Sequence, residues 1–166
     1  ELESPPKELI ARGTPIILEY LKQVYDARTT NRIDLSNMSL ESLPADILLL
    51  TNLTELSLAG NNLESVGSGI GNFPSLRKLF LNDNKLSTVP PSIGDLLELE
   101  ELYLFNNRIL SLPERMGQLR MLHTLDLRAN HMSMLHPELG YMRNLKMLEI
   151  GENPLSSPPK DILKQG

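Results

Sequence analysis

Three histidines, His123, His131 and His136, are the side chains in this sequence with the most versatile chemistry. Imidazole is a common general base and metal ligand near neutral pH. Such sites need partners at defined spacings, yet the sequence has no Cys, no phosphate-binding glycine-rich motif and no nucleophile-elbow motif. The histidines also fall at unrelated positions of the repeat described below. We therefore expect no catalytic site, no metal and no cofactor.

Aromatic side chains offer a different chemistry, which is the anchoring of a partner protein. The chain contains only three Phe and four Tyr and has no Trp. Phe80, Tyr103 and Phe105 are spaced so that they meet only if the chain returns to the same position about every 23 residues. Their role therefore depends on the elements that carry them.

One short stretch repeats along most of the chain. It consists of Leu99, Leu102 and Leu104, followed by Asn107 and Ile109. An alternating Leu-x-Leu segment predicts a short strand with one apolar face, which must stack on identical units to bury that face. The pattern returns every 23 residues without insertion, with first leucines at Leu53, Leu76, Leu99, Leu122 and Leu145 and with asparagines at Asn61, Asn84, Asn107, Asn130 and Asn153.

The pattern LxxLxLxxNxL resembles that of the leucine-rich repeat family. The resemblance implies an α/β solenoid, a right-handed superhelix with a concave parallel β-sheet and a convex side of irregular or 3-10 structure. Leu43-Pro44, Val89-Pro90 and Leu112-Pro113 follow the asparagine turns and resemble the cytoplasmic Ras-group and Scribble/Erbin type. This finer resemblance, over residues 30–166, implies a partner in Ras-type GTPase or phosphatase signalling.

The two ends of the chain depart from the repeat. Residues 1–28 predict a helical N-terminal capping segment, and residues 29–166 an array of about six repeats. Ile17, Leu21 and Val24 form an apolar stripe that we expect to cover the first repeat, in which Met38 replaces the asparagine. A partner-binding helix is the alternative.

Residues 4–13 (SPPKELIARG) resemble residues 157–166 (SPPKDILKQG), which directly follow the last asparagine turn. In relatives of the Ras-group type, a similar segment closes an array. We therefore expect this chain to be part of a longer protein with repeats on both sides.

Composition limits the class of partner and the cellular compartment that we expect for this protein. A net charge of −5 and a pI near 5.2 argue against a nucleic-acid surface. No apolar run is long enough to span a membrane. The absence of Cys favours a reducing compartment, so we expect a cytoplasmic protein that is a monomer or a weak dimer.

Repeat register predicts which side chains line the concave face. Residues at equivalent strand positions should stack in columns about 4.8 Å apart. The middle column reads Asp34, Ser57, Phe80, Tyr103, Asp126 and Glu149, and the column before it begins Arg32, Glu55, Lys78, Glu101. Two interpretations stay open for the aromatic residues: they bind a partner, or they strengthen cross-strand packing.

We expect a non-catalytic protein-binding module that uses its concave face. Two alternatives are a regulatory fragment of a larger enzyme, such as a Roco-type GTPase-kinase, and a structural spacer or self-association surface. The predicted partner-binding residues are Phe80, Tyr103, Phe105, Lys78, Glu101, Asp126, Arg128 and Glu149.

Overall fold

The computed structural model describes residues 4–156, which form two helices followed by a six-stranded parallel sheet. Helix α1 spans Lys7–Ala11 and helix α2 spans Thr14–Thr30. The strands pair in chain order, as a solenoid requires, so the predicted fold is confirmed. They are β1 (Arg32–Asp34), β2 (Glu55–Ser57), β3 (Lys78–Phe80), β4 (Glu101–Tyr103), β5 (Thr124–Asp126) and β6 (Met147–Glu149).

Short 3-10 helices occupy the convex side, as predicted. Pro90 and Pro113 immediately precede two of them in extended conformations. Because proline lacks an N–H donor, it suits a position where no sheet runs. The 3-10 helices span Ile47–Leu49, Ser68–Asn72, Pro91–Asp95, Glu114–Gln118 and Pro137–Tyr141.

The core lies between the sheet and the 3-10 helices. Strand leucines Leu56, Leu79, Leu102 and Leu125 are fully buried, and the side chains on either side of them are at least partly accessible except at Asp126. A strand of three residues buries too little surface to be stable alone, so each repeat depends on its neighbours. No described helix is long and apolar enough to cross a lipid bilayer.

From the second repeat on, each repeat is joined to the one before it by an asparagine, which is buried in every case except the half-buried Asn153. The Asn107 side-chain amide donates to the carbonyls of Leu81 (2.9 Å), Leu104 (3.0 Å) and Phe105 (3.3 Å). Its oxygen accepts from the Leu86 N–H at 3.0 Å. The column therefore binds backbone rather than neighbouring asparagines, and the same pattern of donors recurs at Asn61, Asn84, Asn130 and Asn153.

The residue before each asparagine position has a positive φ. In the first repeat, where Met38 takes the place of the asparagine, that residue is Asn37. Gly60 occupies this position in the second repeat, where a Cβ would lie 2.3 Å from the Asn37 side-chain oxygen. Asparagine and aspartate tolerate the left-handed region, whereas alanine and glutamate are strained there. The residues are Asn37, Gly60, Asp83, Asn106, Ala129 and Glu152.

Helix α2 packs beside β1 with most of the expected face, because Ile17 and Val24 of the predicted stripe are partly buried against the core, but Leu21 is not. Tyr20 and Ala27 are its buried residues, whereas Leu21 of the predicted stripe is 43% exposed. Tyr20 is fixed by a hydrogen bond from its hydroxyl to Asp46. The helix begins at Thr14 with Gly13 as the cap, and it extends past residue 28. Of the duplicated pair, only residues 4–13 are described; residues 157–166 lie outside the described residues.

Replacing Asn107 with alanine should lower the free energy of unfolding by roughly 3 kcal/mol or more, because several buried backbone groups lose their partner. Chemical denaturation measures the change. Asn82→Ala, which removes a partly exposed amide of the same size, should cost far less. Equal losses would mean that the buried hydrogen bonds contribute little.

Ala129→Gly should raise the free energy of unfolding by about 1 kcal/mol, because glycine relieves the strain of a positive φ at this position. Ala45 is exposed and is not among the positive-φ residues, so Ala45→Gly should stabilise nothing. Thermal denaturation of the two variants provides the comparison. A loss of stability in Ala129→Gly would contradict the strain argument.

Candidate functional site: the concave face

Strand pairing places the predicted columns in register on the concave face. Phe80 pairs with Ser57 and Tyr103, and Tyr103 pairs with Asp126. Lys78 pairs with Glu55 and Glu101 in the preceding column. The residues that the sequence places side by side are therefore neighbours in the sheet.

Phe80 and Tyr103 stack face to face across two strands. Their ring centroids are 4.9 Å apart and their planes differ by 1°. Both rings, like that of Phe105, are half-buried rather than fully exposed. Each ring therefore supports its neighbour and also leaves part of its surface accessible, which is consistent with both interpretations left open by the sequence.

A chain of polar contacts fixes the tyrosine. The Tyr103 hydroxyl donates to Glu101 Oε2 at 3.0 Å, and Lys78 Nζ lies 2.7 Å from Glu101 Oε1. Burial raises the pKa of Glu101, but the hydrogen bonds from Lys78 and Tyr103 outweigh it and hold that pKa below its ordinary value. The hydrogen bond to Glu101 raises the pKa of Lys78. Glu101 therefore stays charged and Lys78 stays cationic over a wide pH range.

Phe105 belongs to a second cluster, one repeat further on. The Arg128 guanidinium lies over its ring, 5.6 Å from the centroid. The same guanidinium forms a bidentate ion pair with Asp126, with Nη2–Oδ2 at 2.6 Å and Nε–Oδ1 at 3.0 Å. Asp126 also accepts from the Arg128 N–H. These contacts hold the arginine across the aromatic ring.

The eight predicted residues thus fall into two groups and one outlier. Phe80, Tyr103, Lys78 and Glu101 form the first group, and Phe105, Arg128 and Asp126 form the second. Glu149 lies exposed on β6. Asp126 is only 4% exposed, so its carboxylate is directed to Arg128 rather than to solvent.

Sequence reasoning missed a groove beside Phe80. It encloses about 340 Å³ at the N-terminal end of the concave face, where the small Ser57 stands next to the large ring. The signal was present in the middle column, in which a serine precedes a phenylalanine, but the contribution of α2 was not predictable. Its walls are Gln23, Arg32, Ile33, Asp34, Glu55, Ser57 and Phe80.

The histidines do not converge. His123 contacts Thr124 and Glu100, whereas His136 contacts Glu138 and Glu114 on the convex side. Over residues 4–156, no group of three or more His, Asp or Glu side chains is arranged to hold a metal ion.

The comparisons agree with this architecture. Residues 51–109 match the family model described as leucine rich repeat. No curated protein matches the sequence. A leucine-rich repeat protein of Leptospira interrogans is 29% identical with a TM-score of 0.68, and the match covers 86% of this chain and 42% of that one. The chain therefore spans less than half the length of that protein.

Two further solved structures are similar. The plant peptide hormone receptor RGFR1, in complex with RGF2, is 32% identical with a TM-score of 0.66, covering 75% of this chain and 21% of the receptor. The leucine-rich repeat domain of the type III effector XopL is 24% identical with a TM-score of 0.76, covering 85% and 51%, and shows the fold alone. The chain has the leucine-rich repeat fold, and leucine-rich repeat domains are generally non-catalytic protein-binding modules.

Replacing Lys78 with methionine should raise the pKa of Glu101, because burial then acts with one fewer opposing hydrogen bond. A carboxylate with a depressed pKa stabilises the fold above its unfolded pKa of about 4.3, and the stabilisation is lost as pH falls through the folded pKa. The destabilisation by Lys78→Met should therefore shrink between neutral and acidic pH.

Carboxyl NMR titration and denaturation at several pH values measure both effects. Arg32→Met is the matched control, because Arg32 lies in the same column, is largely exposed and approaches Glu55 only to 3.8 Å. An unchanged Glu101 titration in Lys78→Met would show that the ion pair does not set the pKa.

Proposed function

We propose that the chain binds a partner protein on its concave face, with the Phe80–Tyr103 stack as the anchor. The observation that carries the proposal is the concentration of aromatic residues. Two of the three Phe and one of the four Tyr in the chain lie on adjacent repeats of this face. Preorganised aromatic side chains lose little entropy on binding and are frequent energetic centres of interfaces.

The groove beside Phe80 provides space next to this anchor for a side chain of the partner. A side chain of the partner inserts over Ser57 and packs against the Phe80 ring, with Arg32 and Glu55 at its margin. Such a pocket next to a rigid ring is the arrangement in which binding energy concentrates. The volume of about 340 Å³ fits one large side chain rather than an extended ligand.

Charges on the same face orient the partner. Lys78 is paired with Glu101 and Arg128 with Asp126, and both basic side chains remain partly exposed. Each of them therefore presents hydrogen-bond donors that belong to an ion pair with no net charge. Glu149 and Glu152, further along, are exposed acids. A partner with a basic group at the β6 end and an apolar side chain at the Phe80 end matches this distribution.

The similar structures support binding but not the partner's identity. RGFR1 was solved with RGF2, and a chain of the BIR3–SERK2 complex from Arabidopsis thaliana gives a match of 29% identity and TM-score 0.64 over 76% of this chain and 70% of that one. The Ras-type GTPase or phosphatase context and the cytoplasmic setting stay predictions from the sequence resemblance. The regulatory-fragment alternative is tested by the full reading frame.

A triple variant, Phe80→Ala/Tyr103→Ala/Phe105→Ala, should lose most captured partner protein in a quantitative pull-down, by about tenfold or more, since anchors of this kind contribute 2 kcal/mol or more. The matched control is Leu97→Ala/Leu110→Ala/Met134→Ala, which removes three exposed apolar side chains away from this face. Circular dichroism verifies the fold of both. Equal capture by both variants would refute a concave aromatic anchor.

Filling the groove tests the same site without removing an aromatic ring. Ser57→Tyr should block the space beside Phe80 and weaken binding, while Ser87→Tyr at an exposed turn should not. If binding is lost in the triple variant but retained in Ser57→Tyr, the partner contacts the stacked rings and does not enter the groove. Denaturation curves for the two Tyr variants confirm that each remains folded.

A further inference from the structure

The groove beside Phe80 has an aromatic ring on one side of a small residue and a carboxylate on the other. Ser57 pairs with Asp34 on β1 and with Phe80 on β3. Neighbouring strands lie about 4.8 Å apart, so the backbones of Asp34 and Phe80 are separated by roughly 10 Å across the serine. Tyr103 covers one face of the Phe80 ring. The opposite face is on the β2 side, where the serine side chain is too small to cover it.

Asp34 is an exposed residue whose carboxylate is only partly satisfied within the chain. Its Oδ1 accepts a hydrogen bond from the Ser36 N–H at 2.9 Å. Among residues 4–156, Asp34 forms no ion pair. A second carboxylate oxygen is therefore available to a donor from outside the chain.

The second cluster on the concave face shows what a ring and a carboxylate hold together in this fold. Asp126 occupies the position of Asp34 four repeats later, and it likewise accepts the N–H of the residue two positions on, which is Arg128. There the guanidinium pairs with the carboxylate and lies over the Phe105 ring. The residue two positions after Asp34 is Ser36, so the groove has the carboxylate and a ring without a guanidinium between them.

The charged residues that line the groove are two acids and one base. Asp34 and Glu55 are the acids, and Arg32 is the base. Arg32 approaches Glu55 only to 3.8 Å, and its side chain is 71% exposed. The adjacent Lys78 is held by Glu101 at 2.7 Å. The groove therefore has a net negative charge. Helix α2, which forms one wall, carries two acids and two bases whose charges cancel, namely Glu19, Lys22, Asp26 and Arg28.

We propose that the groove binds an arginine side chain of the partner protein, with the guanidinium between the Phe80 ring and the Asp34 carboxylate. This inference rests on the proposed function, in which a partner occupies the concave face. A planar guanidinium stacks on an aromatic ring and donates two hydrogen bonds to a carboxylate, whereas a lysine ammonium lacks that planar shape. An uncharged side chain would instead desolvate Asp34 and Glu55 without replacing their hydrogen bonds to water, which is unfavourable.

The stem of the arginine makes the apolar part of this contact. Its methylene groups lie over Ser57, while the charged end stays hydrogen-bonded. The apolar side chain proposed for the Phe80 end of the face is thereby narrowed to one that is apolar along its stem and cationic at its tip.

Peptides that differ in one side chain test the proposal. An acetylated and amidated Gly-Gly-Arg-Gly-Gly peptide is titrated into the protein and followed by NMR, and the same peptide with citrulline, a neutral group of similar shape, is the comparison. The arginine peptide should bind about fivefold more tightly, because only arginine is charged. Shifts should centre on the amides of Ser57 and Phe80, and the arginine methylene protons should move upfield near the ring.

Asp34→Asn removes the proposed ion pair but keeps an oxygen that accepts from the Ser36 N–H, so the fold should be unaffected. This variant should bind the arginine and citrulline peptides almost equally. Glu149→Gln is the matched control, because it removes an exposed acid of the same column at the far end of the face. The preference for arginine should persist in Glu149→Gln.

Equal affinity of the two peptides, an absence of saturable shifts, or shifts centred away from the groove would overturn the proposal. Arginine binding that appears only in Arg32→Met would also overturn it, since the chain's own Arg32 would then occupy the groove. The concave anchor is judged by a different result, the dependence of partner capture on Phe80, Tyr103 and Phe105. If capture depends on these rings while the two peptides bind equally, the anchor stands and only the arginine is refuted.

Discussion

The solenoid depends on the hydrogen bonds of its buried asparagines. A chain that turns away from a strand of three residues leaves backbone carbonyls and N–H groups inside the protein, where an unpaired group costs about 1–3 kcal/mol. Each asparagine side chain has two donors and an acceptor that meet this need from one position. Asn84, for example, donates to Leu58 in the previous repeat and to Leu81 in its own, and accepts from Leu63. The repeats are therefore connected by backbone contacts that do not depend on what the surface residues are.

This arrangement separates stability from binding. The leucines and asparagines that hold consecutive repeats together point away from the concave face, so the residues between the leucines are free to vary. The middle column changes from serine to phenylalanine between Ser57 and Phe80 with no change in register. The same rigidity gives Phe80 and Tyr103 a fixed separation before any partner arrives, which lowers the entropic cost of binding. A stack at 4.9 Å is thus a property of the scaffold as much as of the two rings.

Much of the architecture was predictable because the repeat is strict. The strand register, the buried leucines, the hydrogen-bonding asparagines and the 3-10 convex side all follow from positions that recur every 23 residues. Side-chain pairing within the concave face was less predictable. Asp126 was predicted as a partner-binding residue, but its carboxylate is held by Arg128, two residues along the chain. Sequence register gives the column in which a side chain lies, not whether a neighbour already satisfies it.

The helix α2 shows the other limit of sequence reasoning. Its pattern contains apolar residues around more than half of its circumference, so periodicity alone allowed either Leu21 or Tyr20 to face the core. Tyr20 is the buried one, because its ring fills the space beside the first repeat while its hydroxyl reaches Asp46. Ile17 and Val24 also pack against the core, so this orientation leaves only Leu18, Leu21 and Tyr25 of the helix as large exposed apolar side chains. On β6, Leu148 is 38% exposed whereas the equivalent Leu125 is fully buried, so the burial of a strand leucine depends on the neighbouring repeats as well as on its own place in the pattern.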